Sequence, residues 1–172
     1  PLDASPPPPD RPVSPDPLSP PDSAFRELSL ESLEEVTIRQ ATPTDAAAIH
    51  ALMRPFVSQR KLLGRTEAEV IELTRHGFVA MKGHRCIGFS AVEIYSPKLA
   101  ELQCLAVHPE AQRLGIGRRL VNECLDRARS LGVMEVLAIS SSEDFLKSCG
   151  FDFSLPDQKK ALFCQLRARP FE

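Results

Sequence analysis

Apolar and polar residues alternate through Val36 and Ile38 in EVTIRQ (35–40), which predicts an opening strand. The period then changes. In ATPTDAAAIHALMRPF, Ile49, Leu52 and Met53 recur at helical spacing. Thr42 suits the N-cap, Pro43 the first turn, Asp45 stands three residues after the cap, and Pro55 marks the predicted end. VSQRKLLGR (57–65) reads as a loop. TEAEVIELTRHG predicts a second helix, with Thr66 and Glu69 as a capping box and Gly77 as its stop. FVAMK and RCIGFSAVEI predict a hairpin with a tight turn at Gly83-His84. LAELQCLAV (99–107) is a further strand, closed by His108-Pro109. The next helix carries Leu120, Val121, Cys124, Leu125, Ala128 and Leu131 on one face and ends at Gly132. MEVLAIS (134–140) predicts a buried strand, SSEDFLKSCGF a short helix stopped at Gly150, and KKALFCQLR (159–167) a last strand. The order β-α-α-β-β-β-α-β-α-β implies a mixed α/β sheet without internal repeats.

Composition adds a boundary. Ten of the sixteen prolines fall in the first 21 residues, a stretch almost without large apolar side chains. It cannot bury enough surface to offset ordering entropy, so residues 1–34 read as a disordered, partly polyproline II tail and 35–172 as the folded domain. The tail is a spacer or a ligand for a proline-reading domain; its partner is not given by the sequence. Residues 1–34 carry a net charge of −5 and residues 35–172 a net +3. The domain is therefore mildly basic, which suits an anionic small ligand and is too weak for nucleic acid. The five cysteines form no CxxC pair and no metal-ligand spacing, as expected of reduced thiols in a cytoplasmic protein. No apolar run is long enough for a membrane span, and no secretory signal is visible. The chain opens on proline, so targeting by an upstream segment is left open.

AQRLGIGRRL (111–120) holds the candidate chemistry. Gly115 and Gly117 stand where the long helix begins, although glycine is unfavourable there by about 1 kcal/mol relative to alanine. Amides at a helix start lack partners and lie at the positive end of its dipole, which together suit a phosphate. Arg113, Arg118 and Arg119 add positive charge. A Walker loop would need Gly-Lys-Ser/Thr, and a Rossmann fingerprint would need glycine where Leu120 stands. A glycine-lined turn without a ligand is the bland alternative.

The run Gln112-Arg113-Leu114-Gly115-Ile116-Gly117, after the strand LAVHPE, resembles the pyrophosphate turn of the GNAT family of acetyl-CoA-dependent N-acetyltransferases. The resemblance covers roughly residues 36–169. It implies a GNAT fold: a mixed, mostly antiparallel sheet flanked by helices, with a central strand splayed before the turn. It implies acetyl-CoA as cosubstrate, no metal, and coenzyme contacts at Leu105, Ala106, Val107, Gln112, Arg113, Leu114, Gly115, Ile116, Gly117 and Arg118.

IRQATPTDAAAIHALMRPFVSQRKLLGRT, AELQCLAVHPEAQRLGIGRRL and FLKSCGF are similar to the acetyltransferase domain of N-acetylglutamate synthases. That narrower resemblance implies acetylation of the α-amine of glutamate in arginine biosynthesis, with Arg54, Lys98 and Lys160 as cationic partners of the acceptor. The family's arginine on the last strands has no match in DQKKALF, which puts glutamate itself in doubt. The amino-acid-kinase domain of longer synthases is absent from this chain.

The chemistry is attack of a neutral amine on a thioester. It needs positioning, a proton acceptor and donors for the oxyanion. The strand before the turn would supply the donors, Ala106 among them, and Glu101 could accept the proton through water. A tyrosine acid common in the family is replaced near Leu146. The sole tyrosine, Tyr95, is expected in a loop, lining the substrate site or packing. Water, Ser141 or Ser142 would then protonate the leaving thiolate. His50, His84 and His108 read as packing or surface residues, and Cys104 as a poor nucleophile. Arg60, Lys61 and Arg65 either guide an acidic substrate or line a solvated loop. Two alternatives stay open: another small or protein amine as acceptor, or a non-catalytic acyl-CoA sensing module. The partners expected are acetyl-CoA and a small amine or amino acid, with neither nucleic acid nor membrane; the assembly is a monomer or a homodimer.

Overall fold

The computed structural model describes residues 36–153, together with Cys164 and Leu166. The proline-rich segment and Lys160 lie outside the described residues, as does the strand expected at 159–167 apart from those two positions.

Five strands form one sheet in chain order: β1 (Val36–Gln40), β2 (Gly77–Lys82), β3 (Arg85–Ser96), β4 (Leu99–Val107) and β5 (Glu135–Ala138). The first four pair antiparallel, and β4 and β5 pair parallel. A parallel pair needs a long crossover, here supplied by α3 (Ile116–Ser130). Helices α1 (Ala46–Ser58) and α2 (Glu67–Leu73) cover one face, and α3 and α4 (Glu143–Ser148) the other. On the first face Ile49, Leu52, Met53 and Val70 pack on Val79, Phe89, Ala91 and Ala106. On the second, Val121, Cys124, Ala128 and Leu146 pack on Val92, Ala100 and Leu102, while Ile116 and Leu120 pack on Val36, Ala80 and Ile87.

Most of the predicted pattern is realised, with informative departures. Helix α1 runs through Pro55 to Ser58 rather than stopping at the proline. Pro55 sits in the last turn, where its missing N–H removes one bond only, and Gln59 N–H closes on the Pro55 carbonyl at 3.1 Å. Thr66 and Glu69 form the expected capping box: Thr66 N–H donates to Glu69 Oε2 at 2.7 Å and Glu69 N–H to Thr66 Oγ1 at 3.3 Å. The helix continues into a 3₁₀ turn at Thr74–His76, whose C-cap is Gly77, and the same Gly77 opens β2. Leu131 caps α3 and is 45% exposed, so the buried stripe ends at Ala128. Strand β5 is half-buried rather than buried, because β4 is its sole partner among the described residues. Tyr95 lies within β3, not in a loop.

At the entry to α1, Asp45 accepts from Thr42 N–H at 2.8 Å and from both Arg39 guanidinium nitrogens at 2.8 Å. The bidentate Arg39 contact, with the Thr42 donors, holds the Asp45 carboxyl at about 2, below its ordinary 3.8. This contribution to stability is complete above pH 3.8 and is lost as pH falls towards 2. Asp45→Asn is expected to lower unfolding free energy by about 1–2 kcal/mol at pH 7, discounted for the half-exposed arginine. Urea titrations at pH 7 and pH 3 check this: the gap between variant and parent should shrink at the lower pH.

Candidate active site

The site begins with a mismatch between two ladders. Strand β4 pairs with β3 as far as Val107, but with β5 only from Leu99 to Leu102. Beyond Leu102 one edge of β4 is open. Within the same stretch Phe89 faces Ala106 and Ala91 faces Gln103, so Ser90 stands opposite both Cys104 and Leu105. This is a β-bulge, with Cys104 at φ 57° and Ser90 Oγ–H donating to the Gln103 carbonyl at 3.2 Å. The extra residue puts Cys104 against the α1–α2 face and Leu105 against the α3 face. His108 N–H donates to the Ile87 carbonyl at 2.8 Å. By antiparallel alternation, Phe89–Ala106 is then a hydrogen-bonded pair, and the backbone groups of Val107 face the open edge.

A short 3₁₀ turn at Pro109–Ala111 leads to the glycine loop. Gln112 Nε2 donates to the Val107 carbonyl at 2.9 Å and pins the loop to the end of β4. Arg113 and Gly115 both have left-handed backbones, φ 64° and 78°. Among the described residues, none of the six amide N–H groups from Arg113 to Arg118 meets an acceptor. The first bond of α3 runs from Arg119 N–H to the Gly115 carbonyl at 3.1 Å. A run of free amides at the positive end of a 15-residue helix is an anion cradle.

The two glycines have different reasons. A Cβ on Gly115 would meet nothing within 4 Å, so its positive φ is what demands glycine. A Cβ on Gly117 would lie 3.4 Å from Phe145 Cζ and 3.7 Å from Val107 Cγ2, so larger side chains there would fill the gap between β4 and α4.

A cleft of about 620 Å³ follows the opening. It brings together Leu105, Val107, Gln112, Arg113, Gly115, Gly117 and Arg118 with Ser141, Ser142 and Leu146. Leu114 and Ile116 turn their side chains into the core, which leaves only their amides for a ligand. Ala106 is 1% exposed and its backbone is directed at Phe89 rather than at the open edge, which is not where a donor to a ligand was expected. Arg118 reaches the Ser148 carbonyl and, at 3.0 Å, its hydroxyl, while Arg119 donates to the Val36 carbonyl at 3.3 Å, away from the cleft. Sequence reasoning passed over Phe56, Leu62 and Phe145 in the lining, whose apolar character signals only packing.

The acceptor candidates fare differently. Arg54 is exposed on α1 and Lys98 is exposed in the β3–β4 turn; neither lines this cleft. Lys61, from the loop after α1, does line it. Arg65 instead donates to Gln103 Oε1 at 2.9 Å. Glu101 stands opposite Glu93 across β3 and β4 and accepts from the Tyr95 hydroxyl. His50 joins the Arg65 carbonyl at 3.0 Å, and His108 lies against Arg85 at 2.8 Å, so both serve local packing. Burial pushes the Cys104 thiol up, against a smaller opposing effect of Arg65, which keeps it a thiol at neutral pH.

A mixed sheet split beside a glycine loop, with free amides at the following helix, is an arrangement that suits an anionic ligand lying along an open strand edge. The Acetyltransferase (GNAT) family model matches residues 44–151. An uncharacterized N-acetyltransferase of Chlorobaculum tepidum is 33% identical over 117 residues, covering 68% of this chain and 76% of that protein. An amino-acid acetyltransferase of Neisseria meningitidis is 30% identical over 125 residues, 72% of this chain but 29% of its own length. The crystal structure of N-acetylglutamate synthase from Neisseria gonorrhoeae, complexed with coenzyme A and N-acetyl-glutamate, superposes with a TM-score of 0.65 at 30% identity, covering 72% of this chain and 30% of that one. The chain belongs to the GNAT acetyltransferase family, and its five-stranded sheet with the parallel β4–β5 pair is the GNAT fold.

Gly115→Ala is expected to cost about 1 kcal/mol of unfolding free energy, because alanine pays for the left-handed backbone that glycine adopts freely. Chemical denaturation of the variant beside its parent measures it.

Proposed function

We propose that this chain moves the acetyl group of acetyl-CoA to the α-amine of a small amino acid bearing a further carboxylate, L-glutamate being the first to test. The observation that carries the reading is the row of unpartnered amides from Arg113 to Arg118 facing the cleft beside the open edge of β4. Those amides would hold the coenzyme's diphosphate, with Arg113 at its rim. The open edge at Leu105 and Val107 would bind the pantetheine arm and polarise the thioester carbonyl. The amino-acid acetyltransferases among the relatives support an amino-acid acceptor, and Lys61 supplies a cation at the cleft. Arg54, Lys98 and Lys160 are the further cationic candidates, and residues 35–172 are the unit that would carry the activity.

Two protons leave the acceptor nitrogen. Glu101 takes the first from the ammonium, through water, giving a neutral amine. The amine's lone pair forms the new C–N bond as the C–S bond breaks. The second proton then passes to the thiolate sulfur by way of water, Ser141 or Ser142. Direct transfer needs no acyl-enzyme, consistent with a protonated Cys104.

Thiol release from acetyl-CoA with a panel of amino acids and amines tests the proposal. Saturable turnover with L-glutamate or L-aspartate is the expected result; CoA binding without turnover on any amine would overturn it. Gly117→Leu should weaken CoA binding by about tenfold or more in calorimetry, since the side chain would project between β4 and α4. Unchanged affinity would remove the amide cradle as the diphosphate site.

A further inference from the structure

On the α1–α2 face of the sheet, from which Phe56, Lys61 and Leu62 also reach the cleft, five polar side chains form one connected network. Its centre is Gln103, 9% exposed, immediately before the bulge. Arg65 donates to Gln103 Oε1 at 2.9 Å. The Gln103 amide NH₂ in turn donates towards Glu93, towards the Tyr95 hydroxyl at 3.2 Å and towards Glu101 Oε2 at 3.3 Å. The Tyr95 hydroxyl donates to that same Glu101 oxygen.

Glu93 and Glu101 are directly opposite each other on neighbouring strands, an arrangement that like charges disfavour. The Gln103 amide and the Tyr95 phenol offset it with donors, and Arg65 orients that amide through its oxygen. Glu101 is thereby fixed by two donors on one oxygen, and its second oxygen is left to accept. Glu93 and Tyr95 come from β3, and Gln103 from β4. Arg65 comes from the segment before α2 and is itself 3.9 Å from Glu69 of that helix. On β5, the uncharged Leu137 stands beside Glu101, and Glu135 shares the face one side-chain step away.

We propose that Tyr95 is a positioning residue for Glu101: its phenol, seated by Gln103, holds the Glu101 carboxylate in place for the proton that the acceptor amine gives up. The inference rests on the reading of Glu101 as the proton acceptor. The Tyr95 ring is half exposed while its hydroxyl end is turned into the network. Burial first, and Glu101 next, push the Tyr95 phenol up to about 12, so it remains a donor throughout the neutral range. No atom of Tyr95 need exchange a proton with the substrate. Its donor hydrogen stays on the phenol oxygen while the carboxylate cycles.

The chain carries one tyrosine and no tryptophan, which makes the contact readable in this chain without a substrate. A carboxylate hydrogen-bonded to a phenol quenches its emission. Tyrosine fluorescence at neutral pH should therefore be higher in Glu101→Gln than in the parent, and change little in Glu93→Gln. Equal emission from the parent and Glu101→Gln would overturn the contact.

Kinetics with L-glutamate or L-aspartate, whichever turns over in the panel, then separate the two layers. Tyr95→Phe should lower kcat about tenfold, leave the KM for acetyl-CoA unchanged and move the acid limb of the kcat/KM profile to higher pH. Loss of stability alone would not move that limb. An unmoved limb in Tyr95→Phe, with Glu101→Gln reduced about a hundredfold, would overturn the positioning role while leaving Glu101 as the base. Full turnover in Glu101→Gln would remove the base itself, and the role of Tyr95 with it.

Discussion

The organisation of the whole site follows from the early end of one hydrogen-bonded ladder. Strand β5 stops at Ala138, while β4 continues for five more residues, held among the described residues only by β3. Backbone amides and carbonyls on an open strand edge need partners, from water or from a ligand. The Val107 carbonyl finds one in Gln112, and the rest of that edge faces the cleft. Had β5 run alongside β4 to its end, there would be no space between them for a ligand. The glycine loop would then cap a closed sheet.

The bulge makes the opening useful on both faces. In a regular strand, successive side chains alternate, so Gln103 and Cys104 would point apart. The left-handed backbone at Cys104 resets the alternation. Gln103 and Cys104 are both directed towards α1 and α2, where Cys104 joins the apolar cluster and Gln103 the polar network. Leu105 is turned to the coenzyme side. A single inserted residue thus sets the spacing between the carboxylate network and the cleft. The strain of a non-glycine residue at positive φ is met by Ser90, whose hydroxyl ties down the Gln103 carbonyl.

Local signals carried most of the fold. The capping box at Thr66 and Glu69, the turn at Gly83 and His84 and the apolar stripe of α3 depend on neighbours in sequence, and all three are where the pattern placed them. The same is true of the glycine loop, because positive φ and a free helix start leave a mark on residue choice. What escaped notice depends on register. Nothing in LAELQCLAV marks a bulge, since the left-handed position is a cysteine rather than a glycine. Without the bulge, the partnership of Gln103 with Tyr95 and Glu101 cannot be drawn. Tyr95 was misplaced because Pro97 obscured the last two residues of β3. Arg118 and Arg119 were expected to act on a ligand because charge is legible in a sequence, whereas the carbonyls that hold them are not.

Those two arginines bear on how an anion would be held. Arg118 ties the start of α3 to the end of α4 through Ser148, and Arg119 ties it to β1 through Val36. Both therefore anchor the helix start, Arg119 away from the cleft and Arg118 within its lining. Binding by amides fixed in this way needs no side chain to be ordered as the ligand arrives, which lowers the entropy lost on association. It also makes the electrostatics those of aligned peptide dipoles, whose influence fades beyond the first turn, so the diphosphate would be recognised by close contact and geometry. That requirement returns to Gly117: a Cβ there would make ordinary contacts with Val107 and Phe145, whereas a longer side chain would occupy the space through which a bulky anion approaches the main chain.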